Sequence, residues 1–167
     1  MRSAPDSDPK RPRGSRPVLT LRQKALRALA RREYSRVELA RKLTGPDTSS
    51  AEVEALLDDF EASGWLSDER FAGGAARQRQ GRYSQRYILE DLKHKGIAGD
   101  TAREAVSALE QDDYATALAL WRQRFGTAPA DQKEKARQVR FLQSRGFALN
   151  VVFRVLREQG MAADDDE

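Results

Sequence analysis

Apolar residues recur along this chain at the spacing of a helix, in short runs separated by polar caps, glycines and prolines. Leu21, Ala25, Ala28 and Leu29 form the first stripe, predicting a helix from about Leu21 to Arg32. Ser35 suits the N-cap of a second helix to Leu43, with Val37, Leu39, Ala40 and Leu43 inward and Gly45-Pro46 as its stop. A third opens at Ser49 or Ser50, carries Val53, Leu56, Leu57 and Phe60, and ends at Gly64. Asp68 is the expected cap of a fourth, whose stripe is Phe71, Ala72, Ala75 and Ala76. Gly73-Gly74 inside it costs about 1 kcal/mol per residue relative to alanine. Close approach of another helix is the expected reason for such small residues.

The stretch Gly81–Ile97, GRYSQRYILEDLKHKGI, is the most completely specified. Ser84 caps it, while Ile88, Leu89 and Leu92 share a face. Arg86 with Glu90, and Asp91 with Lys95, stand four apart with opposite charge. Gly96 sits at the left-handed stop, which folds Ile97 back on Leu92. A sixth helix is expected from Asp100 or Thr101, with Ala102, Ala105, Val106 and Leu109 inward. Asp112-Asp113 suits the start of a seventh bearing Tyr114, Leu118, Trp121 and Phe125, ended by Gly126. Pro129 to Arg145 reads as an eighth, with Ala136, Val139 and Leu142, and Asn150 as the cap of a ninth with Val152, Val155 and Leu156. No stretch alternates with period two, so the expectation is all-α, with nine helices.

The pattern repeats. Leu142, Gly146 and Phe147 follow Leu92, Gly96 and Ile97 by fifty residues, and Tyr34, Ser35, Leu39 and Leu43 precede Tyr83, Ser84, Ile88 and Leu92 by forty-nine. Two alignments at nearly one period predict an internal repeat. The units are expected at 20–64, 65–110 and 111–160, three helices each, forming an elongated, curved array between a basic tail (1–19) and an acidic one (161–167). The first tail, rich in Pro, Ser, Arg and Asp, is expected to be disordered.

Composition adds a charge pattern. Charged residues make up 34% of the 167, hydrophobic ones 39%, and the net charge is +4. Residues 22–42 hold eight Lys/Arg; residues 47–69 hold eight Asp/Glu and no Lys/Arg. Residues 70–95 are basic again, residues 100–113 mostly acidic, and residues 122–145 carry seven basic groups. If the first two helices of each unit are basic and the third acidic, stacking lines up a cationic edge and an anionic one. There is no cysteine, hence no disulfide and no thiolate metal site. No apolar run is long enough to span a bilayer and none follows the basic N-terminus, so a cytoplasmic protein without membrane contact is expected.

No catalytic set assembles. His94 is the only histidine, and one imidazole without cysteine builds no common metal or nucleophile site. Asp58-Asp59 and Asp112-Asp113 are adjacent acids, which diverge by about 100° on a helix. No GxxxxGK[ST] or GxGxxG loop is present. A non-enzyme without metal or cofactor is expected.

Trp65-Leu66-Ser67-Asp68-Glu69-Arg70-Phe71-Ala72, Arg79 and the Gly81–Ile97 stretch resemble the signature region of the RecX regulatory proteins. Tyr34 to Leu43 matches that family's first-repeat pattern, and the resemblance covers about residues 20–160. Ser67 stands where the family often has an acid, and Gly73-Gly74 replaces bulkier residues. The resemblance implies tandem three-helix repeats and a modulator, usually negative, of the RecA recombinase. Such proteins lie in the groove of the RecA–DNA filament and suppress strand exchange, ATP hydrolysis and co-protease activity, which places this chain in recombination, DNA repair and the SOS response. Trp65, Phe71, Leu92, Gly96 and Ile97 match the signature as packing or turn residues. Partner contact with RecA or DNA is expected of Arg70, Arg79, Arg82, Arg86, Lys93, Lys95, Arg32 and Arg36. Arg70 and Arg79 equally suit bracing an acid of a neighbouring helix. A monomer is expected. The alternative is a helical module that binds single- or double-stranded DNA through the basic ribbon and acts without RecA; an adaptor for another acidic or filamentous protein also fits.

Overall fold

The structure, a computed structural model, describes residues 18–164. The disorder expected of residues 1–17 and the last acids of the C-terminal tail, residues 165–167, lie outside the described residues. Among the described residues there are nine helices and no strand. They are α1 (Leu21–Leu29), α2 (Arg36–Leu43), α3 (Ser50–Ala62), α4 (Asp68–Arg79), α5 (Gln85–His94), α6 (Gly99–Ser107), α7 (Asp113–Arg124), α8 (Gln132–Ser144) and α9 (Leu149–Asp164). The principal helix–helix contacts all fall within α1–α3, α4–α6 or α7–α9. The fold is therefore an all-α tandem repeat of three-helix units.

Each unit has its own small core. The first holds Ala25, Leu39, Leu57 and Phe60, closed by Leu66, whose backbone N–H returns to the carbonyl of Phe60 at 3.1 Å. The second is built on Phe71, Ile88, Leu92, Ile97 and Val106, the third on Trp121, Leu142, Phe147, Val152 and Val155. Three-helix units of this size bury too little to be strongly stable alone, so contact with a neighbour matters.

Several local expectations are revised. α1 stops at Leu29: the Ala30 N–H still reaches the Leu26 carbonyl at 2.9 Å, but the Arg31 N–H tightens onto the Ala28 carbonyl at 3.0 Å, and the chain turns so that Arg32 lies outside the helix. Ser67, not Asp68, is the N-cap of α4, its side chain accepting from the Arg70 N–H. α6 begins at Gly99, without a side-chain cap. α8 begins at Gln132 behind the cap Asp131, so Pro129 lies outside it. α9 begins at Leu149, and Asn150 lies inside its first turn. Among the described residues no helix comes within contact of Gly73-Gly74: a Cβ on Gly73 meets only the Arg77 guanidinium, and one on Gly74 meets nothing within 4 Å. Trp65 is 54% exposed, so it is not a core residue.

What joins the units is a docking of helix ends, made twice. α5 closes with the expected left-handed glycine: the Ile97 N–H reaches the Leu92 carbonyl (2.9 Å) and the Gly96 N–H that of Lys93 (3.0 Å). The Lys95 carbonyl, left over at this end, accepts from the Ser35 hydroxyl at 2.6 Å. Ser35 is fully buried and also caps α2 by accepting from the Glu38 N–H. The next donor, the Arg36 N–H, reaches the Asp68 carboxylate at 2.8 Å. The second joint repeats this plan. The Arg145 carbonyl at the end of α8 accepts from the Ser84 N–H (3.0 Å), and the Gln85 N–H reaches Asp113 Oδ1 (3.0 Å).

The orphan carbonyl of one helix thus meets the cap residue of another, its hydroxyl at the first joint and its N–H at the second, with opposite dipole ends together and an acid at the positive one. The glycines serve twice, as left-handed stops (φ +84 and +86) and as the only residues that fit. A Cβ on Gly96 would lie 2.5 Å from the Val37 side chain, and one on Gly146 2.6 Å from both Ser84 Oγ and Tyr87 Cβ. Gly64 has a similar φ of +75 but open space around it. Gly64→Ala should cost about 1–2 kcal/mol of backbone strain; Gly146→Ala should add overpacking of about 1–3 kcal/mol. Urea denaturation of the two variants separates these contributions, and equal midpoints would show that the joint does not need the glycine.

Candidate partner-binding surface

Charge sorting begins within the first unit. Acids of α3 take up cations of α1 and α2: Asp59 pairs with Arg22 at 2.6 Å, while Glu54, Asp58 and Glu61 surround Arg36 at 2.5, 2.8 and 2.7 Å. The adjacent acids Asp58 and Asp59 therefore serve two different arginines, as their divergence on the helix requires. Hydrogen bonding to Glu54, opposed by burial and reinforced by Asp58 and Glu61, raises the Arg36 pKa far above its ordinary value. Arg32 pairs with Glu38 at 2.9 Å and lies over the Tyr34 ring at 3.6 Å. These three arginines hold their own unit together.

The first joint engages another. Arg70 pairs with Glu33 across it at 3.0 Å and reaches the Trp65 carbonyl at 3.4 Å. In the middle unit Asp91 is the hub, hydrogen-bonded by Lys95 and, at 3.2 Å, by Arg79. Burial pushes its carboxyl up, but the two cations outweigh burial and hold it below the usual carboxylate range. Asp91 and Lys95 form the expected four-apart pair. Arg86 and Glu90 do not: Glu90 lies nearest Lys93, at a loose 3.9 Å.

Of the eight cations expected at a partner, Arg32, Arg36, Arg70, Arg79 and Lys95 are thus engaged by acids of this chain. Arg82, Arg86 and Lys93 remain exposed, with no ion pair for Arg82 or Arg86 among the described residues. They belong to the helix, and the turn before it, that joins both neighbouring units. Nearby, the Arg145 guanidinium lies 5.6 Å from the Tyr83 ring centroid and 4.7 Å from that of Phe141, and donates to the Arg82 carbonyl at 3.3 Å. Tyr83 stacks on Tyr87 with centroids 4.2 Å apart. The Arg82 end of this strip therefore lies beside the second joint, and Lys93, in the last turn of α5, lies toward the first.

Two glutamines escaped the sequence reading. Gln111 bridges that joint, accepting from the Gly81 N–H (2.8 Å) and donating to the Tyr83 carbonyl (2.8 Å); no periodicity marks a loop residue of this kind. Gln138 is buried in the third unit, accepts from Trp121 Nε1 at 2.7 Å and donates to the Thr127 carbonyl at 3.3 Å. Its place four residues before Leu142, on the inward stripe, was the available signal. His94 is exposed, with Nδ1 2.8 Å from the Glu90 carbonyl. Among the described residues no group of three His, Cys, Asp or Glu is placed to hold a metal, and no helix is long and apolar enough to cross a membrane.

Such an arrangement defines a tandem three-helix-repeat protein that presents unpaired cations on its helical surface. Family models described as the first, second and third three-helix domains of RecX match residues 22–60, 67–106 and 110–156. "Regulatory protein RecX" of Leptothrix cholodnii is 45% identical over 91% of this chain and 97% of its own length. The protein of the same description from Ralstonia pickettii is 43% identical over 84% of this chain and 89% of its own. The crystal structure of RecX from Lactobacillus salivarius superposes with a TM-score of 0.68 at 17% identity, covering 84% of this chain and 95% of that one. The chain belongs to the RecX family of regulatory proteins.

Asp91→Asn should destabilise the protein at neutral pH by about 1–3 kcal/mol, because Arg79 and Lys95 lose a charged acceptor. A carboxyl depressed in the folded state contributes stability above its unfolded pKa of about 3.9 and loses it as pH falls through the folded value. Urea midpoints of wild type and variant should therefore converge below about pH 4. Arg86→Gln should change stability by less than about 0.5 kcal/mol, whereas Arg36→Gln, which strands three acids, should cost clearly more in the same assay.

Proposed function

We propose that this protein is a negative regulator of the RecA recombinase. It lies in the groove of the RecA–DNA filament, in the cytoplasm and as a monomer, and suppresses strand exchange, ATP hydrolysis and co-protease activity. Family membership supports the regulatory role. The observation that carries the surface is the division of cations in the middle unit: Arg79 and Lys95 are held by Asp91, while Arg82, Arg86 and Lys93 are left outside. We assign partner contact to those three and structural bracing to Arg32, Arg36, Arg70, Arg79 and Lys95. Three units in series suit a partner that is itself repetitive, because each unit meets an equivalent surface. Regulation here is binding, with no reaction at the protein's own side chains.

ATP hydrolysis by RecA on single-stranded DNA, measured against increasing amounts of the purified protein, tests the reading. Turnover should fall; unchanged turnover at stoichiometric or higher ratios counts against it. The triple reversal R82E/R86E/K93E should raise the amount needed for half-inhibition by about tenfold or more, with the helical circular-dichroism signal retained. Tight, sequence-selective DNA binding in the absence of RecA would instead move the function to a module acting on DNA directly, whereas weak salt-sensitive binding is compatible with phosphate contact alone.

A further inference from the structure

A second cationic feature lies in the first unit, on different residues. A cavity of about 300 Å³ opens between α1 and α2, rimmed by Lys24, Arg27, Arg31 and Lys42. The three from α1 and the turn after it follow at intervals of three and four, which puts them on one side of the helix. Lys42 reaches the rim from the last turn of α2. All four are exposed, and no ion pair engages any of them among the described residues. No acidic side chain among the described residues lines the cavity. Arg22, Arg32 and Arg36 of the same unit, by contrast, are all paired.

Like charges three and four apart on a helix repel, so this rim destabilises the free protein. It is also not a requirement of the repeat. At the shift of forty-nine that relates α2 to α5, Lys42 corresponds to Asp91, an acid satisfied inside its own unit. The floor separates this cavity from a plain cationic surface. Ala28, Tyr34 and Leu43 are buried beneath it and Leu19 stands half-buried at the edge. The Tyr34 ring is held by Arg32 at 3.6 Å, with the Lys42 ammonium 5.9 Å from its centroid, so the floor is pinned from outside the core. A phosphodiester backbone gains nothing from an apolar floor. An apolar side chain flanked by carboxylates uses both parts: its body enters the cavity and its neighbours meet the rim.

We infer that the cavity between α1 and α2 is a docking site for an acidic peptide segment of a protein partner, anchored by one apolar side chain. The site is independent of the strip at Arg82, Arg86 and Lys93 and does not rest on the reading of that strip. The probe is a fluorescein-labelled peptide with a central leucine among glutamates, titrated with the full chain and followed by fluorescence anisotropy. K24Q/R27Q/K42Q should weaken binding by about tenfold or more, with the helical signal unchanged because all three side chains are exposed. Replacing the leucine of the peptide by serine should weaken binding severalfold to the unaltered protein, a readout independent of how any variant folds. R82Q/R86Q/K93Q should leave it unchanged. The inference is overturned if K24Q/R27Q/K42Q binds the peptide as well as wild type does. It also fails if the serine peptide binds equally while a single-stranded oligonucleotide displaces both, for the rim is then a general polyanion surface.

Discussion

The docking of one helix C-terminus onto another helix N-terminus is the interaction on which this molecule depends. A helix end leaves donors or acceptors without partners, and burying them unpaired costs more than the pairing gains. Here the left-over carbonyl of α5 meets the N-terminus of α2, and that of α8 meets the N-terminus of α5. Each N-terminus is completed by the first residue of the next unit's opening helix, Asp68 or Asp113. These contacts need the chain to turn within one residue and with no side chain in the way. The left-handed glycine is what makes both possible.

Once the joints are set, much of the charge follows. Acids near a joint or along α3 and α5 are consumed by cations of the same chain, which is why Arg36, Arg70 and Arg79 brace rather than project. Arg82, Arg86 and Lys93 gain little from any nearby acid, so their charge is available outward. The picture of one continuous cationic edge is too simple for the first unit, where α3 neutralises much of α1 and α2 and only one group of cations is left together. A count of Lys and Arg along the chain overestimates the available charge by the number already paired with acids of the same chain.

Legibility in the sequence followed the range of the interaction. The apolar stripes, the Ser35 and Ser84 caps and the Gly96 stop were visible because each is settled within about one helical turn. Gly73-Gly74 misled because small residues suggest a neighbour without specifying one, and Trp65 because an aromatic beside a core leucine reads as core. Asp68 was recognised as an acid at a helix start but given to its own helix; its carboxylate instead serves Arg36, thirty-two residues earlier. Gln111 bridges a joint from a loop, where no period exists to betray it.

By itself the sequence determined the helices, their caps and the repetition of a three-helix unit, since propensity, spacing and turn chemistry act between residues a few positions apart. Only the tertiary structure decided that Ser35 and Ser84 serve two helices at once, that four of the arginines and one of the lysines expected at a partner are engaged by acids of the same chain, and that four other cations gather around an apolar hollow. Those outcomes depend on distances between groups far apart along the chain, such as Arg22 and Asp59 at 2.6 Å. Electrostatic and hydrogen-bond energies are set by separation in space, and periodicity in a sequence carries no measure of it.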